Sequence, residues 1–351
     1  MKSVAVQTAQ RSVGVSRGMG VPPMRRRAVP ARPSGPFSRG ETPLGRMAKM
    51  AMPRRCAVLL ITLSALVAAL SGGCGPRTAG GPDAGAATTA TKAAAPARLD
   101  LIVFSSNRGG PWAIWCMKPD GPQQKQLTQP AEGESDVDAV VSPDGSGILF
   151  SSTRGGATGL WRMGIDGARP ERISDGDQGE WSPDGREIVF RRGGRLLVRE
   201  LAGGKERALS PAGWDKCSGP AWSPDGKEIA FARLEETGNA IYVVSAAGGA
   251  PRKVYDAQGA CEPHWSPDGG RLVYETEAHI GAIGPDGAKN RMVTYYGGVQ
   301  RYGRFSPNGS RIIFCQAASP EGPWELYVVG ATGGTPTQLT EGGSDMQPDW
   351  R

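Results

Sequence analysis

Residues that commonly carry chemistry are few in this chain, and they are spaced without a catalytic pattern. The only two histidines are His264 and His279, which is too few for a histidine-rich zinc site, and no His-Glu-x-x-His motif is present. The only Gly-x-Ser-x-Gly stretch runs from Gly14 to Gly18 and lacks the strand–turn–helix context of a hydrolase nucleophile. The sequence therefore predicts no catalytic residue, no cofactor and no bound metal ion.

Two pairs of aspartates, Asp136/Asp138 and Asp175/Asp177, lie before predicted innermost strands. Paired carboxylates can hold a cation at a loop, but neither pair has the spacing of a calcium loop. Solvated turn carboxylates are the favoured interpretation.

Four cysteines lie within residues 98–351. Cys116 and Cys315 fall in predicted strands and are expected to be small buried hydrophobes. Cys217 and Cys261 lie five and four residues before the tryptophans of two adjacent repeats. A disulfide between these two is a hypothesis that requires an oxidising compartment and a suitable Cα separation.

The elements that must position these residues come from a motif that occurs five times. Its clearest copy is Trp222 to Phe231, Trp-Ser-Pro-Asp-Gly-Lys-Glu-Ile-Ala-Phe. Proline suits the first corner of a type I turn and glycine accepts the left-handed conformation after it, so the motif predicts a β-hairpin. The residues before the serine recur every 40 to 43 positions, at Val141, Trp181, Trp222, Trp265 and Phe305. A period near 40 with four short strands per unit indicates propeller blades.

Residues 98–351 contain six such units, and the first unit lacks an innermost strand. Gln347 to Trp350 aligns with Gly219 to Trp222, so the C-terminus is predicted to complete blade one and close the ring. The predicted fold class is all-β, a six-bladed propeller of four-stranded antiparallel blades. Blade five is predicted to be the weakest, because Gly281 lies inside a strand.

The repeated Trp-Ser-Pro-Asp-Gly-x-x-Ile-x-Phe motif resembles the WD-like repeats of the TolB-like β-propeller family. The Ser-x-Arg-Gly-Gly loops, Ser106 to Gly110 and Ser152 to Gly156, and the Gly-Gly…Leu-Thr endings carry the same resemblance. It covers about 250 residues, which is all of the predicted propeller. TolB has an additional α/β domain before its propeller, and a short tether stands in that place here. The resemblance implies Tol–Pal-like envelope partners.

The topology predicts a site where the innermost strands line the central channel. The pre-tryptophan positions, directly before the tryptophan or its equivalent, hold Val140, Glu180, Ala221, His264, Arg304 and Asp349. With nearby polar residues they predict a channel mouth of mixed charge, suited to a peptide, a protein loop or a small polar ligand. Simple solvation of these side chains is the alternative. The candidate binding residues are Asp138, Glu180, Glu262, His264, Tyr302, Arg304 and Asp349.

The net charge of +7 belongs to the N-terminal part of the chain. Residues 1–74 contain 12 Lys/Arg and one acidic residue, and the remainder has 29 basic and 33 acidic residues, a net charge of −4. A nucleic-acid partner for the propeller is therefore not predicted. Residues 1–51 are a basic low-complexity extension, which is also consistent with a start codon assigned too early.

Residues 52–74 have the basic start, short apolar core and small exit residues of a secretory signal. The apolar core, from Cys56 to Leu70, is too short to span a bilayer. The end of the segment resembles a bacterial lipobox, with Cys74 as the acylated residue and Ser71 as a departure from the pattern. Residues 75–97 then form a Gly/Ala/Pro/Thr linker. A cleaved signal without a lipid and an uncleaved anchor remain as alternatives.

These features together predict a lipid-anchored or secreted protein of the bacterial cell envelope, facing the periplasm or the cell surface. The expected function is a non-catalytic protein–protein interaction module. Two alternatives remain open, a binder of a small polar ligand or saccharide at the channel mouth and a propeller enzyme that uses channel carboxylates. A clustered carboxylate pair with raised pKa would favour the enzyme. A broad exposed apolar patch would favour a protein partner.

Overall fold

The computed structural model describes residues 99–256 and 259–351, in which 24 strands and no helix are present. In chain order the strands are β1 (Ile102–Ser106), β2 (Ala113–Met117), β3 (Lys125–Gln126), β4 (Asp136–Val141), β5 (Gly147–Ser152), β6 (Gly159–Gly164), β7 (Glu171–Asp175), β8 (Asp177–Trp181), β9 (Glu187–Arg192), β10 (Arg195–Glu200), β11 (Glu206–Ala208), β12 (Cys217–Trp222), β13 (Glu228–Glu235), β14 (Gly238–Ser245), β15 (Arg252–Asp256), β16 (Cys261–Trp265), β17 (Leu272–Glu275), β18 (Ile280–Ile283), β19 (Arg291–Met292), β20 (Val299–Phe305), β21 (Arg311–Ala317), β22 (Glu325–Gly330), β23 (Thr337–Gln338) and β24 (Asp345–Trp350).

The strands form six four-stranded antiparallel sheets, one per blade. Blade one contains β24, β1, β2 and β3 from the centre outwards, and each later blade takes the next four strands of the chain in order. The six innermost strands follow one another around the centre as β24, β4, β8, β12, β16 and β20. The predicted six-bladed fold is therefore confirmed, including the closure of the ring by the C-terminal strand.

Each Ser-Pro-Asp-Gly turn is held by its own side chains. In the first copy Ser142 Oγ donates to Asp144 Oδ1 at 2.6 Å and accepts from the Gly147 amide at 2.9 Å. The serine hydrogen bond also lowers the pKa of the Asp144 carboxyl. The glycine after it has φ of 73°, a conformation that residues with a Cβ rarely adopt. These polar residues are thus used within the turn itself.

The core lies between neighbouring blades. Apolar clusters combine residues of adjacent sheets, as where Phe305 of blade six packs with Val273 and Ile280 of blade five. Two tryptophans add a hydrogen bond across the blade boundary: Trp181 Nε1 donates to Val140 O at 3.2 Å and Trp265 Nε1 donates to Ala221 O at 3.1 Å. In these two copies the tryptophan of the motif therefore joins one blade to the preceding one, whereas Trp222 Nε1 has no hydrogen-bond partner among the described residues.

Gly281 in blade five has a packing reason. A Cβ at this position would lie 2.4 Å from Cζ of Tyr274 in the neighbouring strand. Tyr274 is fully buried, and its hydroxyl donates to Asn290 Oδ1 at 2.6 Å. The glycine makes room for this ring, so its presence in the strand follows from the size of Tyr274.

Candidate functional site in the central channel

All six innermost strands carry a β-bulge at the same position. Two residues of the innermost strand lie opposite a single residue of the second strand, and that residue is always aromatic. The first residue of each bulge has a left-handed backbone, with φ between 48° and 55°. We call these residues the bulge ring: Asp138, Gln178, Gly219, Glu262, Tyr302 and Gln347. A bulge redirects a side chain from the regular strand alternation, so the bulge ring brings polar groups to the channel.

The residue after each bulge position is small or is proline. At Gly179 a Cβ would lie 2.7 Å from Leu149 Cδ2, and at Gly303 it would lie 3.0 Å from side-chain atoms of Ile280 and Val273. Larger side chains at these positions would collide with the neighbouring blade. This close packing fixes the backbone that presents the bulge ring.

Hydrogen bonds link members of the bulge ring. Gln347 Nε2 donates to Asp138 Oδ1, while Gln347 Oε1 accepts from Ser105 Oγ at 2.8 Å. On the other side of the ring, Gln178 Nε2 donates to Glu262 Oε1 at 3.3 Å. Blade four lies between these two residues and contributes Gly219, which has no side chain to separate them. The two glutamine amides therefore each hold one oxygen of a channel carboxylate.

A second layer is formed by the pre-tryptophan positions, two residues further along each strand. Blades three and six lie on opposite sides of the ring, yet Glu180 Oε2 and Arg304 Nη1 are 3.9 Å apart. Arg351 Nη2 lies 3.8 Å from Glu180 Oε1. The side chain of Glu180 is only 6% exposed, and neither of these two arginines is close enough to form a hydrogen bond with it. An ion pair without direct hydrogen bonds thus crosses the channel at this level.

Asp349 and His264 belong to the same layer and have different surroundings. Asp349 is buried and accepts a hydrogen bond from the Val141 amide at 3.0 Å, which ties the closing strand to blade two. His264 is half-buried, and its Nδ1 atom is buried without a partner among the described residues. Burial and the nearby Arg304 lower the pKa of His264 well below its ordinary value, so the ring is neutral at neutral pH.

The channel carboxyl groups hold protons more tightly than usual. Burial raises the pKa of Asp138 to about 6, and the negative charge of Asp177 adds to the effect. Burial also raises the pKa of Glu262, with further contributions from Glu275 and Asp138. Burial raises the pKa of Glu180 above its usual range, although Arg304 opposes this shift. Desolvation thus outweighs the attraction of the nearby arginines.

Five of the seven predicted binding residues line one cavity in the channel, which has a volume of about 520 Å³, part of it open to solvent. They are Asp138, Glu180, Glu262, Tyr302 and Arg304. His264 and Asp349 are not among the residues that line this cavity.

Sequence reasoning missed Gln178 and Gln347, which line the same cavity. The signal was present, because every bulge-ring residue lies three positions before the tryptophan or its equivalent. Grouping the residues at that spacing would have identified both glutamines.

The expectation of solvated turn aspartates is wrong for the first pair. Asp136 is fully buried and forms an ion pair with Arg154 of the Ser-x-Arg-Gly-Gly loop, at 2.5 Å. Asp138 lies in the channel. Within the second pair, Asp177 receives two hydrogen bonds from Arg191, both 2.7 Å long.

Cys217 and Cys261 are not joined by a disulfide in the structure. Both are free thiols with different neighbours. Cys217 is buried in an apolar cluster with Trp222, whereas Cys261 Sγ donates to Glu275 Oε2 at 3.4 Å. The two cysteines are one position apart in their strands, since Cys261 lies opposite Glu275 and Cys217 lies opposite Arg233. Their side chains therefore leave opposite faces of their blades.

The described surface is polar. In residues 99–256 and 259–351 the only exposed large hydrophobic side chains are Leu99 and Tyr295. No helix in these ranges is long and apolar enough to cross a membrane. No three His, Cys, Asp or Glu side chains in the same ranges are grouped so that they could hold a metal ion.

Residues 192–350 match the family described as TolB beta propeller domain. This part of the propeller, 159 of the 351 residues, is TolB-like. TolB from Acinetobacter baumannii has a similar structure, with a TM-score of 0.62 and 17% identity over 71% of this chain and 66% of TolB. An Agrobacterium tumefaciens protein assigned to TolB gives a TM-score of 0.56 and 18% identity over 71% and 92% of the two chains. No curated protein matches the sequence.

A chain of a nidogen/laminin complex has a comparable fold, with a TM-score of 0.57 and 10% identity over 71% of this chain and 97% of that one. At these identities the likeness concerns the fold alone. The TolB-like propeller described here spans just under two thirds of Acinetobacter TolB.

Proposed function

We propose that this chain is a non-catalytic interaction module of the bacterial cell envelope that binds a protein partner through its central channel. The observation that carries the proposal is the Glu180–Arg304 pair, which lies in the channel cavity at 3.9 Å without a direct hydrogen bond. Charged groups in such a site gain from polar groups that enter and complete their hydrogen bonds. The TolB-like fold is consistent with a role in protein interaction.

The character of the surface supports insertion into the channel over contact across a flat face. Obligate protein interfaces depend on clustered apolar side chains. Within the described ranges only Leu99 and Tyr295 are large, apolar and exposed, and they do not make a broad patch. The cavity, by contrast, offers several converging polar groups, which is the usual arrangement of a specific binding site. A partner would therefore engage the propeller through a short polar segment.

Export and anchoring are a further part of the proposal. The signal at residues 52–74, the lipidation of Cys74 and the linker at 75–97 lie outside the described residues. They are supported by the sequence pattern of a short apolar core that ends in a cysteine. The protein would thus face the periplasm or the cell surface, with a Tol–Pal-like partner as the first candidate.

A second candidate function is the binding of a small polar ligand or saccharide, or its conversion by channel carboxylates. The raised pKa of Asp138, about 6, favours this candidate because such shifts are frequent at active sites. Release of a product from envelope saccharides by the purified protein, lost in Asp138→Asn, would support the enzyme over the interaction module.

The test of the interaction module is capture of envelope proteins on the immobilised protein. The double variant Glu180→Gln/Arg304→Met removes both charges of the cross-channel pair, so that neither is left buried alone. We expect it to retain less than a tenth of the captured partner. Arg186→Met is the matched control, because the Arg186 side chain is 84% exposed on a turn.

Thermal melts of all variants establish that the fold is intact. Equal capture by the wild type and the double variant, at equal melting temperature, would place the partner's site outside the channel and refute the proposal.

A further inference from the structure

Asp138 and Glu262 face each other across the channel without a cationic partner. They occupy the bulge-ring positions of blades two and five, which are opposite blades. The negative charge of Asp138 contributes to the raised pKa of Glu262, after burial and Glu275. Neither carboxylate forms an ion pair within the part of the chain that the structure describes.

The arginines near these two carboxylates are directed to other groups. Arg191 makes its two hydrogen bonds to Asp177. Arg301 donates to the backbone carbonyls of Thr276 and Glu277, the second at 2.8 Å. Arg304 forms the cross-channel pair with Glu180. The negative charge of the bulge ring therefore lacks a direct counter-charge, although Arg304 and Arg191 lower the pKa of Glu262 from a distance.

Tyr302 supplies an independent observation at the same level. It lines the cavity and is 7% exposed, and its hydroxyl has no hydrogen-bond partner among the described residues. Because this unpartnered oxygen is not among the buried polar atoms, it faces the space of the cavity. Burial raises the pKa of Tyr302, and the charges of Glu275, Glu262 and Asp138 add to this shift.

Gly219 makes room at this level for the side chain of Glu262. A Cβ at Gly219 would lie 2.9 Å from Glu262 Oε2. Its φ of 55° is within the range of the other five bulge residues, all of which have side chains. The missing side chain therefore allows the Glu262 carboxyl group to pack against the Gly219 backbone in the channel.

We propose that the bulge ring binds an alkylammonium group between Asp138 and Glu262, with the Tyr302 hydroxyl as a third acceptor. The inference rests on the proposed function, because the group would be a lysine side chain that the partner inserts into the channel. A free alkylamine carries the same chemistry and is the other source. An ammonium has three donors and no acceptor, which matches two carboxylates and a hydroxyl.

The energetics favour a cation in this position. Burying two carboxylates in a poorly solvated space is costly, and proton uptake relieves part of this cost, since burial raises the pKa of Asp138 to about 6 and that of Glu262 to about 8. A bound ammonium would relieve it without protons, through charge-assisted hydrogen bonds. Guanidinium is planar and larger, and Arg304 already borders the cavity, so the smaller cation fits better.

The test is a titration of the full-length protein with n-butylammonium chloride, followed by calorimetry and tyrosine fluorescence. n-Butanol, which has the same shape without the charge, is the ligand control. We expect binding of n-butylammonium only, weakened at least tenfold in Asp138→Asn and in Glu262→Gln. Glu171→Gln is the matched control, because the Glu171 side chain is 55% exposed in an outermost strand, and it should bind within twofold of the wild type.

Tyr302→Phe keeps both carboxyl groups, so it tests the site if a carboxylate variant fails to fold. It should weaken binding about threefold. Equal binding of n-butanol, or unchanged binding in the carboxylate and tyrosine variants, would overturn the inference. Calcium chloride in a parallel titration distinguishes a metal site: tighter binding of Ca²⁺ than of n-butylammonium would also overturn it.

Competition between n-butylammonium and the captured partner distinguishes a lysine of the partner from a free amine. It also tests the ammonium site separately from the interaction module. If n-butylammonium displaces the captured partner, a lysine of that partner is the occupant. If it binds without displacing the partner, the ammonium site stands and its occupant is a free amine. Partner capture that depends on Glu180 and Arg304, with no amine binding, overturns the ammonium site alone. Amine binding without any partner capture leaves the ammonium site and refutes the interaction module.

Discussion

Removal of residues 346–351 should destabilise the whole propeller, because these residues form the innermost strand of blade one. Trp350 is 4% exposed and packs in a cluster that spans both blades at the closure, with Phe104 of blade one and Ile313 of blade six. The guanidinium of Arg311 lies 4.7 Å from the centre of its ring. The strand also pairs with Leu101, through backbone hydrogen bonds of 2.7 and 2.9 Å with residue 351.

The size of the effect follows from the buried side chains. Trp350→Ala should cost about 3–5 kcal/mol, and loss of the buried Met346 about 2–5 kcal/mol more. Each lost strand hydrogen bond adds roughly 1 kcal/mol. The sum is comparable with the typical total of about 5–15 kcal/mol for a domain. The truncated chain should therefore be largely unfolded, and Trp350→Ala should be folded with a clearly lower midpoint.

Equilibrium urea unfolding, followed by circular dichroism, measures these differences. Trp350→Phe should cost less than Trp350→Ala, since Nε1 of Trp350 has no hydrogen-bond partner among the described residues. Gln338→Ala, at an exposed position of an outermost strand, should stay within about 0.5 kcal/mol of the wild type. A truncated chain with the midpoint of the full chain would refute the argument that the C-terminus closes the ring.

Three further predictions concern other parts of the chain. Cys74→Ser should abolish lipid attachment while the propeller stays folded, as detergent-phase partitioning and mass spectrometry of the mature N-terminus would show; an unacylated wild type that begins elsewhere would contradict it. In urea titrations Trp265→Phe should lower the free energy of unfolding by roughly 1 kcal/mol more than Trp350→Phe, because Trp265 Nε1 donates a hydrogen bond of 3.1 Å. Equal losses would show that this hydrogen bond does not stabilise the fold. Because the pKa of Asp138 rises from 3.8 to about 6 on folding, the folded state binds more protons than the unfolded state in this pH interval. The stability of the wild type should therefore fall as the pH rises from 4 to 7. Asp138→Asn should reduce the slope of stability against pH over the same range. The charged groups around Asp138 stay in place in this variant: Asp177, Arg191, Arg304 and, from the opposite blade, Glu262. An unchanged slope would refute the assignment.

Much of the fold could be predicted because its signals are local and repeated. The Ser-Pro-Asp-Gly turns are formed by residues within six positions of each other, as Ser142, Asp144 and Gly147 show. Their period gave the blade length, and the match between Gln347–Trp350 and Gly219–Trp222 revealed the closing strand. The glycine of blade five was judged by strand propensity alone, and its reason lies in the ring of Tyr274 on the next strand.

The channel could be predicted only in part. Counting one residue back from each tryptophan identified Glu180 and Arg304, but it could not show that they meet across the ring, since they come from opposite blades 124 positions apart. The polar pair at Asp136 and Asp138 looked like a solvated turn, because the arginine that neutralises Asp136 belongs to a loop after the next strand. Sequence spacing alone does not place such partners.

The sequence by itself determined the number of blades, the strand order and the closure of the ring, because turns and alternating strands depend on neighbouring residues. Only the tertiary structure decided which side chains share the channel. That choice depends on six bulges with left-handed backbones and on the packing of Gly179 and Gly303 against adjacent blades. It also depends on which blades lie opposite each other, so that Asp138 faces Glu262. These are properties of the closed ring, since no single blade contains both members of an opposed pair.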